Sequence, residues 1–344
     1  MRAARYDTPG GPEVLSLIDV PDPEPGPLDV VVAVEACALN RLDIVQRNGW
    51  FHMPGFALPH IAGMDVAGTV AEVGTDVTDV RVGDRVVIDP SLAGVADGSK
   101  LAGRGDLYGE LGIIGATVDG GYAERCLVPA SHVYGVPDDM PIENAACFPT
   151  CYLTAAHALF VVGGLGVGET VLIHAAGSGV SVAGIQLARS AGATVLATAG
   201  SASKLERAQQ LGAQYVANNR ETDVAAWARE VTDGRGVDMV FDHVGTALFA
   251  ASVFALAVGG RLVNCGNTSG DEATIPSLGF LFHQAASIRG SGPYEPHEFP
   301  TVWDEFCRGD FDVPIDREYP LADAAAAQEQ MAANDVFGKI VLRP

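Results

Sequence analysis

The second half of the chain alternates short apolar runs with amphipathic stretches. Apolar runs of four or five residues fit buried strands, and apolar residues recurring every three or four positions fit helices that cover a sheet. Strands are predicted at 170–174, 194–198, 215–217, 239–242 and 261–265, and helices at 180–191, 203–211, 223–231 and 247–257. This alternation predicts a parallel sheet covered on both faces. The fold class is therefore α/β, with a doubly wound nucleotide-binding domain.

The first hundred residues have a different pattern, in which short β-branched segments lie between turn residues. The segments are 30–36, 67–73 and 85–88, and turns rich in proline and glycine separate them. This pattern predicts a β-rich, barrel-like domain. Residues 338–344 read as one more strand, which we expect to rejoin that domain. The expected domains are 1–150, completed by 291–344, and the nucleotide-binding domain 151–290.

The charge of the chain excludes some classes of partner. The 344 residues carry a formal net charge of -22, and lysine occurs only at Lys100, Lys204 and Lys339. Nucleic acids and anionic membranes bind through clustered Lys and Arg, so neither is an expected partner. No apolar run reaches the roughly 20 residues of a membrane span, and the N-terminus has no apolar leader. We expect a cytoplasmic enzyme with a small-molecule substrate.

The first strand of the nucleotide-binding domain runs into a turn of small residues. Small side chains let a backbone approach phosphates, and the N-terminus of the following helix offers free N–H groups. The residues expected to contact the pyrophosphate of a dinucleotide are Ala176, Gly177, Ser178, Gly179 and Val180. The glycine fingerprint is incomplete, because Ser181 stands at its last position. The alternative is a tight turn with a purely structural role.

The end of the second strand indicates which nicotinamide cofactor binds. NAD-specific sites place an Asp or Glu there, to accept hydrogen bonds from the ribose hydroxyls. This chain has Ala-Gly-Ser-Ala-Ser-Lys at 199–204, without a carboxylate. Ser201 and Lys204 are candidates for holding a 2′-phosphate, assisted by Arg207 or Arg220. This favours NADPH over NADH; the alternative is that Lys204 and Arg207 are solvated helix residues.

Several short segments follow one another along nearly the whole chain: Leu39–Asp43, Pro59–Gly68, Gly83–Val87, Gly120–Glu124, Thr154-Ala155, the turn at 175–181, Gly236–Asp238, Gly259-Gly260 and Gly338-Lys339. In these segments and in their order the chain resembles the medium-chain dehydrogenase/reductase superfamily. The resemblance implies an N-terminal GroES-like β domain and a Rossmann domain, with the active site in the cleft between them. It also implies a homodimer or homotetramer. The motifs are most similar to the zinc-free branch of quinone oxidoreductases and enoyl reductases.

The departures from the pattern of this superfamily concern zinc. Its zinc alcohol dehydrogenases bind the catalytic metal through a Cys, a His and a later Cys or Asp, and the corresponding positions here hold Asn40, Met64 and Thr150. An amide, a thioether and a hydroxyl together are poor zinc ligands. The stretch 89–119, where a structural zinc lobe would lie, contains no cysteine. We therefore expect neither zinc ion.

Hydride transfer without a metal favours an acceptor that spreads the incoming charge onto an oxygen, such as a quinone or an alkene conjugated to a carbonyl. The amide of Asn40 is expected to hydrogen-bond that oxygen, unless this residue only stabilises a turn. Asp43 either orients the site or caps a short helix. Arg41 either meets an anionic substrate or lies on the surface. Met64 is expected to fill the former metal pocket and to favour hydrophobic acceptors.

The remaining cofactor contacts are implied by the family pattern. Thr154 is expected to pack near the nicotinamide, whereas Asn264, Gly266 and Ser291 follow late strands, where the carboxamide and ribose rest in the family. The expected function is an NADPH-dependent reductase of quinones or activated alkenes. Three alternatives stay open: an enoyl thioester reductase acting on an acyl-CoA, a zinc alcohol dehydrogenase with unusual ligands, and a cofactor-binding sensor or structural protein with little turnover.

Overall fold

The computed structural model describes residues 1–102 and 112–344. Its strands are β1 (Arg2–Tyr6), β2 (Ser16–Asp19), β3 (Asp29–Ala38), β4 (His60–Ile61), β5 (Asp65–Val73), β6 (Arg85–Ile88), β7 (Arg125–Pro129), β8 (Val133–Gly135), β9 (Thr170–Ile173), β10 (Thr194–Ala199), β11 (Tyr215–Asn218), β12 (Val237–Asp242), β13 (Leu256–Asn264), β14 (Ser287–Gly290), β15 (Ile315–Pro320) and β16 (Lys339–Arg343). Its α-helices are α1 (Arg41–Arg47), α2 (Ile142–Ala146), α3 (Pro149–Ala156), α4 (Gly179–Ser190), α5 (Ala202–Leu211), α6 (Val224–Glu230), α7 (Phe249–Ala255), α8 (Leu278–His283), α9 (Glu298–Arg308) and α10 (Ala324–Ala332). Within these described ranges, no helix has the length and apolar character needed to cross a bilayer.

The described chain separates into two compact units. The first, called the β-rich unit, comprises Met1–Thr150 and Glu295–Pro344. The second, called the α/β unit, comprises Cys151–Tyr294. Each unit has its own sheet system and its own apolar core.

The α/β unit contains a six-stranded sheet in the order β11-β10-β9-β12-β13-β14. Every neighbouring pair in this sheet is parallel. All four residues of β9 are buried, as expected for a central strand with both faces covered. The strand order reverses between β9 and β12, and ligands of such sheets bind outside the carboxyl ends of the strands at this point. The predicted doubly wound parallel sheet is confirmed.

Helix α4 begins at this reversal point, where Ser178 caps it. The Ser178 Oγ accepts a hydrogen bond from the backbone N–H of Ser181 at 3.2 Å, which satisfies one of the free donors of the first turn. Gly184 brings the helix close to β12, because a Cβ at this position would lie 3.1 Å from the ring of Phe241. The tight contact fixes the helix N-terminus relative to the sheet.

One boundary in the α/β unit differs from its prediction. A helix to 257 and a strand from 261 are predicted, whereas α7 ends at Ala255 and β13 begins at Leu256. Leu256 pairs with Val237 of β12, and the register then shifts before the next pair. Gly259, which has a φ of 75°, lies within this irregular part of the strand. Glycines that suggest a turn in the sequence therefore belong to a bulged strand.

The β-rich unit contains two sheets. One is small, in the order β2-β1-β4, and the other follows the order β15-β16-β3-β5-β6-β8, with β7 also paired to β3. The last strand, β16, pairs antiparallel with β3 through Val341 opposite Ala38 and Leu342 opposite Cys37. This pairing brings the first residue of β16, Lys339, beside the end of β3.

No helix is predicted from the sequence for the segment that forms α9. This helix buries Phe299, Val302, Trp303 and Phe306, which follow the three- and four-residue spacing of an amphipathic helix. The ring of Phe148 lies 4.9 Å from that of Trp303 and 5.0 Å from that of Phe306, measured between centroids. The helix was missed because it follows the end of the strand–helix alternation and has no partner strand.

Candidate functional site

The turn between β9 and α4 has the geometry of an anion-binding turn. Ala175 has a positive φ of 51°, a conformation unusual for a residue with a Cβ, and its carbonyl accepts the N–H of Ser178 at 2.8 Å. The helix then begins at Gly179, and the N–H groups of Gly179 and Val180 have no partner within a helix. With the positive end of the helix dipole, these donors suit the oxygens of a pyrophosphate.

Ser181 replaces the last glycine of the fingerprint, and its hydroxyl joins the turn to two strands. Its Oγ donates to the carbonyl of His174 at 2.6 Å and lies 2.8 Å from Nε2 of His243. Because a hydroxyl has one hydrogen, His243 must be the donor in the second bond. Burial lowers the pKa of His243, which favours the neutral ring. Sequence reasoning missed His243; the available signal was a serine in place of glycine together with a histidine directly after the fourth strand.

The end of β10 brings an arginine to a glycine. A Cβ at Gly200 would lie 2.7 Å from Nε of Arg220, so a glycine here lets the guanidinium approach the backbone. Ser201 is the N-cap residue of α5, and its Oγ lies 3.3 Å from that of Ser203. Lys204 lies half-buried in the first turn of the same helix. Arg220 therefore lies at the strand end where the sequence predicts a 2′-phosphate, and Ser201 and Lys204 lie at the start of the helix that follows it.

The residues after β13 and β14 form a second group in the α/β unit. Nδ2 of Asn264 donates to the carbonyl of Gly266 at 2.8 Å, and the carbonyl of Asn264 accepts the N–H of Ser291 at 2.8 Å. The Ser291 hydroxyl is buried and has no hydrogen-bond partner within residues 1–102 and 112–344. A buried polar atom without a partner is a group that a ligand can satisfy. Thr154 lies half-buried on α3, and no described hydrogen bond connects it to this group.

In the β-rich unit, four polar residues form one buried network. The Lys339 Nζ donates to Asn40 Oδ1 at 2.8 Å and to Asp65 Oδ2 at 2.9 Å. The other oxygen of Asp65 accepts from the N–H of Thr150 at 2.9 Å and from its hydroxyl at 2.6 Å. Asp65 is fully buried and Lys339 is only 5% exposed. Sequence reasoning found Asn40 and Thr150 but gave no role to Lys339 or Asp65.

The network leaves one donor of Asn40 free. Its oxygen is bonded to Lys339, whereas its Nδ2 is buried and has no hydrogen-bond partner in the part of the chain that the structure describes. An unpaired buried donor costs free energy unless a ligand or water accepts from it. The Asn40 amide therefore has a donor available to an oxygen of a ligand or a water molecule.

The residues at the former zinc positions do not fit a zinc ion. The Asn40 oxygen accepts from an ammonium, and the Thr150 hydroxyl donates to Asp65. Met64 supplies only a thioether, and it is packed within the core at 3% exposure. Zinc sites in proteins use thiolates, imidazoles and carboxylates. No group of three or more His, Cys, Asp or Glu in the described ranges is arranged to hold a metal ion; part of the predicted lobe at 89–119 lies outside these ranges.

Asp43 lies next to Asn40 in space and caps α1. Its Oδ2 accepts the N–H of Asn40 at 2.8 Å and the hydroxyl of Tyr122 at 3.1 Å. Burial raises the pKa of Asp43 to about 7, although these two donors and the Lys339 ammonium lower it. The structure thus shows Asp43 in the helix-capping role that the sequence suggests. With a pKa of about 7, the same carboxyl group changes its protonation state near neutral pH.

We predict that Asp43 makes the protein less stable as the pH rises. The folded pKa of about 7 lies above the roughly 3.9 of an unfolded Asp, so the unfolded state loses its proton first and stability falls between these values. The loss is on the order of 3–4 kcal/mol. The variant Asp43→Asn lacks this loss. Between pH 4 and pH 8 the free energy of unfolding of Asp43→Asn, relative to that of wild type, should therefore rise by roughly this amount. Urea titration at each pH measures it. Parallel pH curves for the two proteins would contradict the prediction.

Arg41, the remaining candidate, contacts the C-terminal end of α10. Its Nη1 donates to the side chain of Asn334 at 3.2 Å and to the carbonyl of Met331 at 3.4 Å. Burial lowers the pKa of Arg41. These bonds account for its position without an anionic substrate, and the substrate contact stays a prediction.

Comparison with known proteins supports the interpretation of both units. Residues 26–138 match the alcohol dehydrogenase GroES-like domain, and residues 179–308 match the zinc-binding dehydrogenase family. The quinone oxidoreductase of Pseudomonas aeruginosa is 33% identical, with 97% of each chain covered. A solved NAD-dependent alcohol dehydrogenase is 39% identical, with 100% of each chain covered and a TM-score of 0.92. A mycobacterial protein solved with NADPH is 32% identical, with 100% of each chain covered and a TM-score of 0.83.

The fold and these matches define an NAD(P)H-dependent oxidoreductase with a GroES-like domain and a Rossmann domain. The chain belongs to the medium-chain dehydrogenase/reductase superfamily, in its quinone oxidoreductase branch. The resemblance that the sequence motifs indicate is thereby confirmed.

Proposed function

We propose that the protein is an NADPH-dependent reductase of quinones or carbonyl-conjugated alkenes that works without a metal. The observation that carries this proposal is the Asn40 amide, whose oxygen is held by Lys339 while its buried Nδ2 has no partner in the described chain. A neutral donor of this kind can stabilise negative charge on an acceptor oxygen, which is the task of zinc in the metal-dependent relatives.

Each part of the site has a defined task in this reaction. The turn between β9 and α4 and the residues after β13 and β14 would hold a reduced nicotinamide cofactor, which would supply the hydride for the acceptor. Asn40 donates its hydrogen bond to the acceptor carbonyl, where the electron pair accumulates as the hydride adds to carbon. The bond strengthens as this charge develops, so it lowers the barrier more than it favours the ground state. Solvent then supplies the proton that completes the reduction.

The acceptor is proposed to be hydrophobic. Met64 puts a flexible thioether at a position that a polar ligand occupies in zinc enzymes, and it is nearly fully buried. Quinones and enones present a flat apolar body with one or two carbonyl oxygens, which suits an apolar site with a single free donor.

NADPH is the proposed cofactor, since Arg220 lies against Gly200 at the end of β10 and no carboxylate occurs at 199–204. The pyrophosphate would rest on the α4 N-terminus, the Ser291 hydroxyl would be satisfied by the ribose or carboxamide, and Thr154 would pack on the ring. One of the similar solved structures is named an NAD-dependent alcohol dehydrogenase, so the preference for NADPH over NADH has to be tested.

We predict that Arg220→Gln weakens NADPH binding and leaves NADH binding unchanged. A charge-assisted bond to a 2′-phosphate contributes about 1.5–3 kcal/mol, which corresponds to a rise in Kd of roughly 10–150-fold. Fluorescence titration of wild type and variant with both cofactors measures it, and NADH serves as the internal control. Equal effects on both cofactors would show that Arg220 does not contact the phosphate.

A homodimer is proposed through the edge of the parallel sheet. Within the described chain β14 pairs only with β13, and its Ile288 is 37% exposed beside no further strand. Unpaired edges that expose apolar residues favour pairing with a second copy.

We predict that Ile288→Lys shifts the protein toward monomer, as measured by multi-angle light scattering. The matched control is Val167→Lys, at a residue that is 87% exposed elsewhere in the unit, and it should not change the oligomeric state. A dimer retained in both variants would place the interface on another surface.

The substrate class is tested by the oxidation of NADPH with four acceptors. These are an ortho-quinone, a simple enone, an enoyl thioester and a saturated ketone, each at matched concentration. Turnover with the quinone or enone and none with the ketone is expected. A reaction restricted to the enoyl thioester would favour the enoyl reductase alternative, and cofactor binding without turnover of any acceptor would favour a sensor.

A further inference from the structure

Lys339 approaches Asn40 from a distant part of the chain. It is the first residue of β16, and it lies 299 positions after Asn40 in the sequence. Its ammonium group bonds Asn40 and Asp65 at 2.8 and 2.9 Å inside the β-rich unit. Among the three lysines of this acidic protein it is the buried one, with 5% exposure. A charge placed there needs a reason beyond packing, because its desolvation is costly.

The ammonium decides which way the Asn40 amide points. An ammonium can only donate, so the atom of Asn40 that faces it must be the oxygen. The Nδ2 is then forced to the opposite side, where it has no partner within the described ranges. Without the ammonium, the hydrogen bond that holds the Asn40 oxygen on this side is lost, and the amide is free to rotate about its last bond.

Asp65 holds the ammonium in this position. One carboxylate oxygen accepts from Lys339, and the other is fixed by the N–H and the hydroxyl of Thr150. These bonds are made to buried or half-buried partners, which hold the carboxylate in one orientation. The Asp65 carboxylate thus compensates the buried positive charge of Lys339. The Asn40 Nδ2 has no hydrogen-bond partner among the described residues.

We propose that Lys339 is a positioning residue for the reduction: it fixes the amide of Asn40 so that Nδ2 faces the acceptor oxygen. This inference rests on the proposed function, because it assigns Asn40 the same donor role. Lys339 itself transfers no proton and contacts no substrate. The competing interpretation is that Lys339 only joins β16 to β3 and β5.

A double-mutant cycle in a charge-neutral background tests the proposal. The variant Asp65→Asn with Lys339→Met removes both charges together, so no buried charge is left unpaired, and the amide oxygen that replaces the carboxylate still accepts from Thr150. Asn40→Ala is then made in wild type and in this background, and kcat and KM are measured with a quinone. If Lys339 acts through Asn40, the effects of Asn40→Ala and of the charge-neutral substitutions on kcat are not additive.

The expected result is that Asn40→Ala lowers kcat by about 100-fold or more in wild type and has little effect in the charge-neutral background. The charge-neutral background alone should lower kcat and leave the Kd of NADPH unchanged. If Asn40→Ala has the same effect in both backgrounds, Lys339 is structural and the proposal is overturned.

A second measurement is independent of turnover. The side-chain amide protons of Asn40, identified by the loss of their resonances in Asn40→Ala, report the orientation of the group through NMR NOEs to the protons around them. The pattern of these NOEs should differ between wild type and the charge-neutral background; an unchanged pattern would overturn the proposal. If wild type reduces no acceptor but the NOE pattern differs, the proposed function fails while the positioning by Lys339 stands.

Discussion

Replacing Lys339 with methionine should lower the free energy of unfolding by about 3–5 kcal/mol, because the change leaves the buried Asp65 carboxylate without its cation. Asp65 is fully buried, and in the variant the two donors of Thr150 are the contacts of its side chain that would remain, among residues 1–102 and 112–344, to stabilise its charge. Methionine is an unbranched side chain one heavy atom shorter than lysine, so most of the core packing is kept. Urea unfolding followed by circular dichroism measures the loss.

Two further variants separate the charge effect from the loss of a lysine. Lys100→Met removes an exposed lysine, whose ammonium bonds the carbonyl of Glu24, and it should change stability by less than about 1 kcal/mol. Combining Lys339→Met with Asp65→Asn should recover most of the loss, since no unpaired charge remains. Equal stability of Lys339→Met and Lys100→Met would contradict the buried ion pair.

The largest effect on catalysis is expected from Asn40→Ala. Loss of one preorganised donor to a developing oxyanion typically lowers kcat by about 10²–10³-fold. The residues proposed to bind the cofactor lie in the α/β unit, whereas Asn40 lies in the β-rich unit, so the Kd of NADPH should not change. Stopped-flow measurement of the hydride-transfer rate with a quinone determines the effect on the chemical step.

Asn144→Ala is the matched control for this prediction. Asn144 is a half-buried residue of α2, and the change removes the same atoms away from the network. It should react at the wild-type rate. If Asn40→Ala also reacts at the wild-type rate, Asn40 has no part in the mechanism. Its amide would then be interpreted as a group that stabilises a turn.

Much of the α/β unit is predictable because its sequence signals are local. Each strand is a short apolar run, and each neighbouring helix shows its own periodicity, as for β9 and α4. The boundary between α7 and β13 was wrong because a bulge and a turn both use glycine. Helix α9 was missed although its buried residues have helical spacing, because it follows the end of the strand–helix alternation; its partner Phe148 is distant in sequence.

The candidate site divides in the same way. Motif order identifies Asn40 and the phosphate turn, because both lie within short recognisable segments. The partners that fix them come from far along the chain: Lys339 for Asn40, and His243 for Ser181. A single lysine or histidine outside a motif carries no signal of its own, since its role arises only when β16 pairs with β3 or β12 lies beside β9. The raised pKa of Asp43 likewise depends on burial that the sequence does not specify.

In the proposed reaction the Asn40 amide, rather than a metal, stabilises the acceptor oxygen. The most direct measurement is NADPH oxidation with a quinone by protein that has been treated with a chelator and verified as metal-free by mass spectrometry, compared with the same protein after zinc is added back. Equal rates in the two samples are predicted. A rate that is lost on chelation and returns in proportion to bound zinc would contradict this role of Asn40.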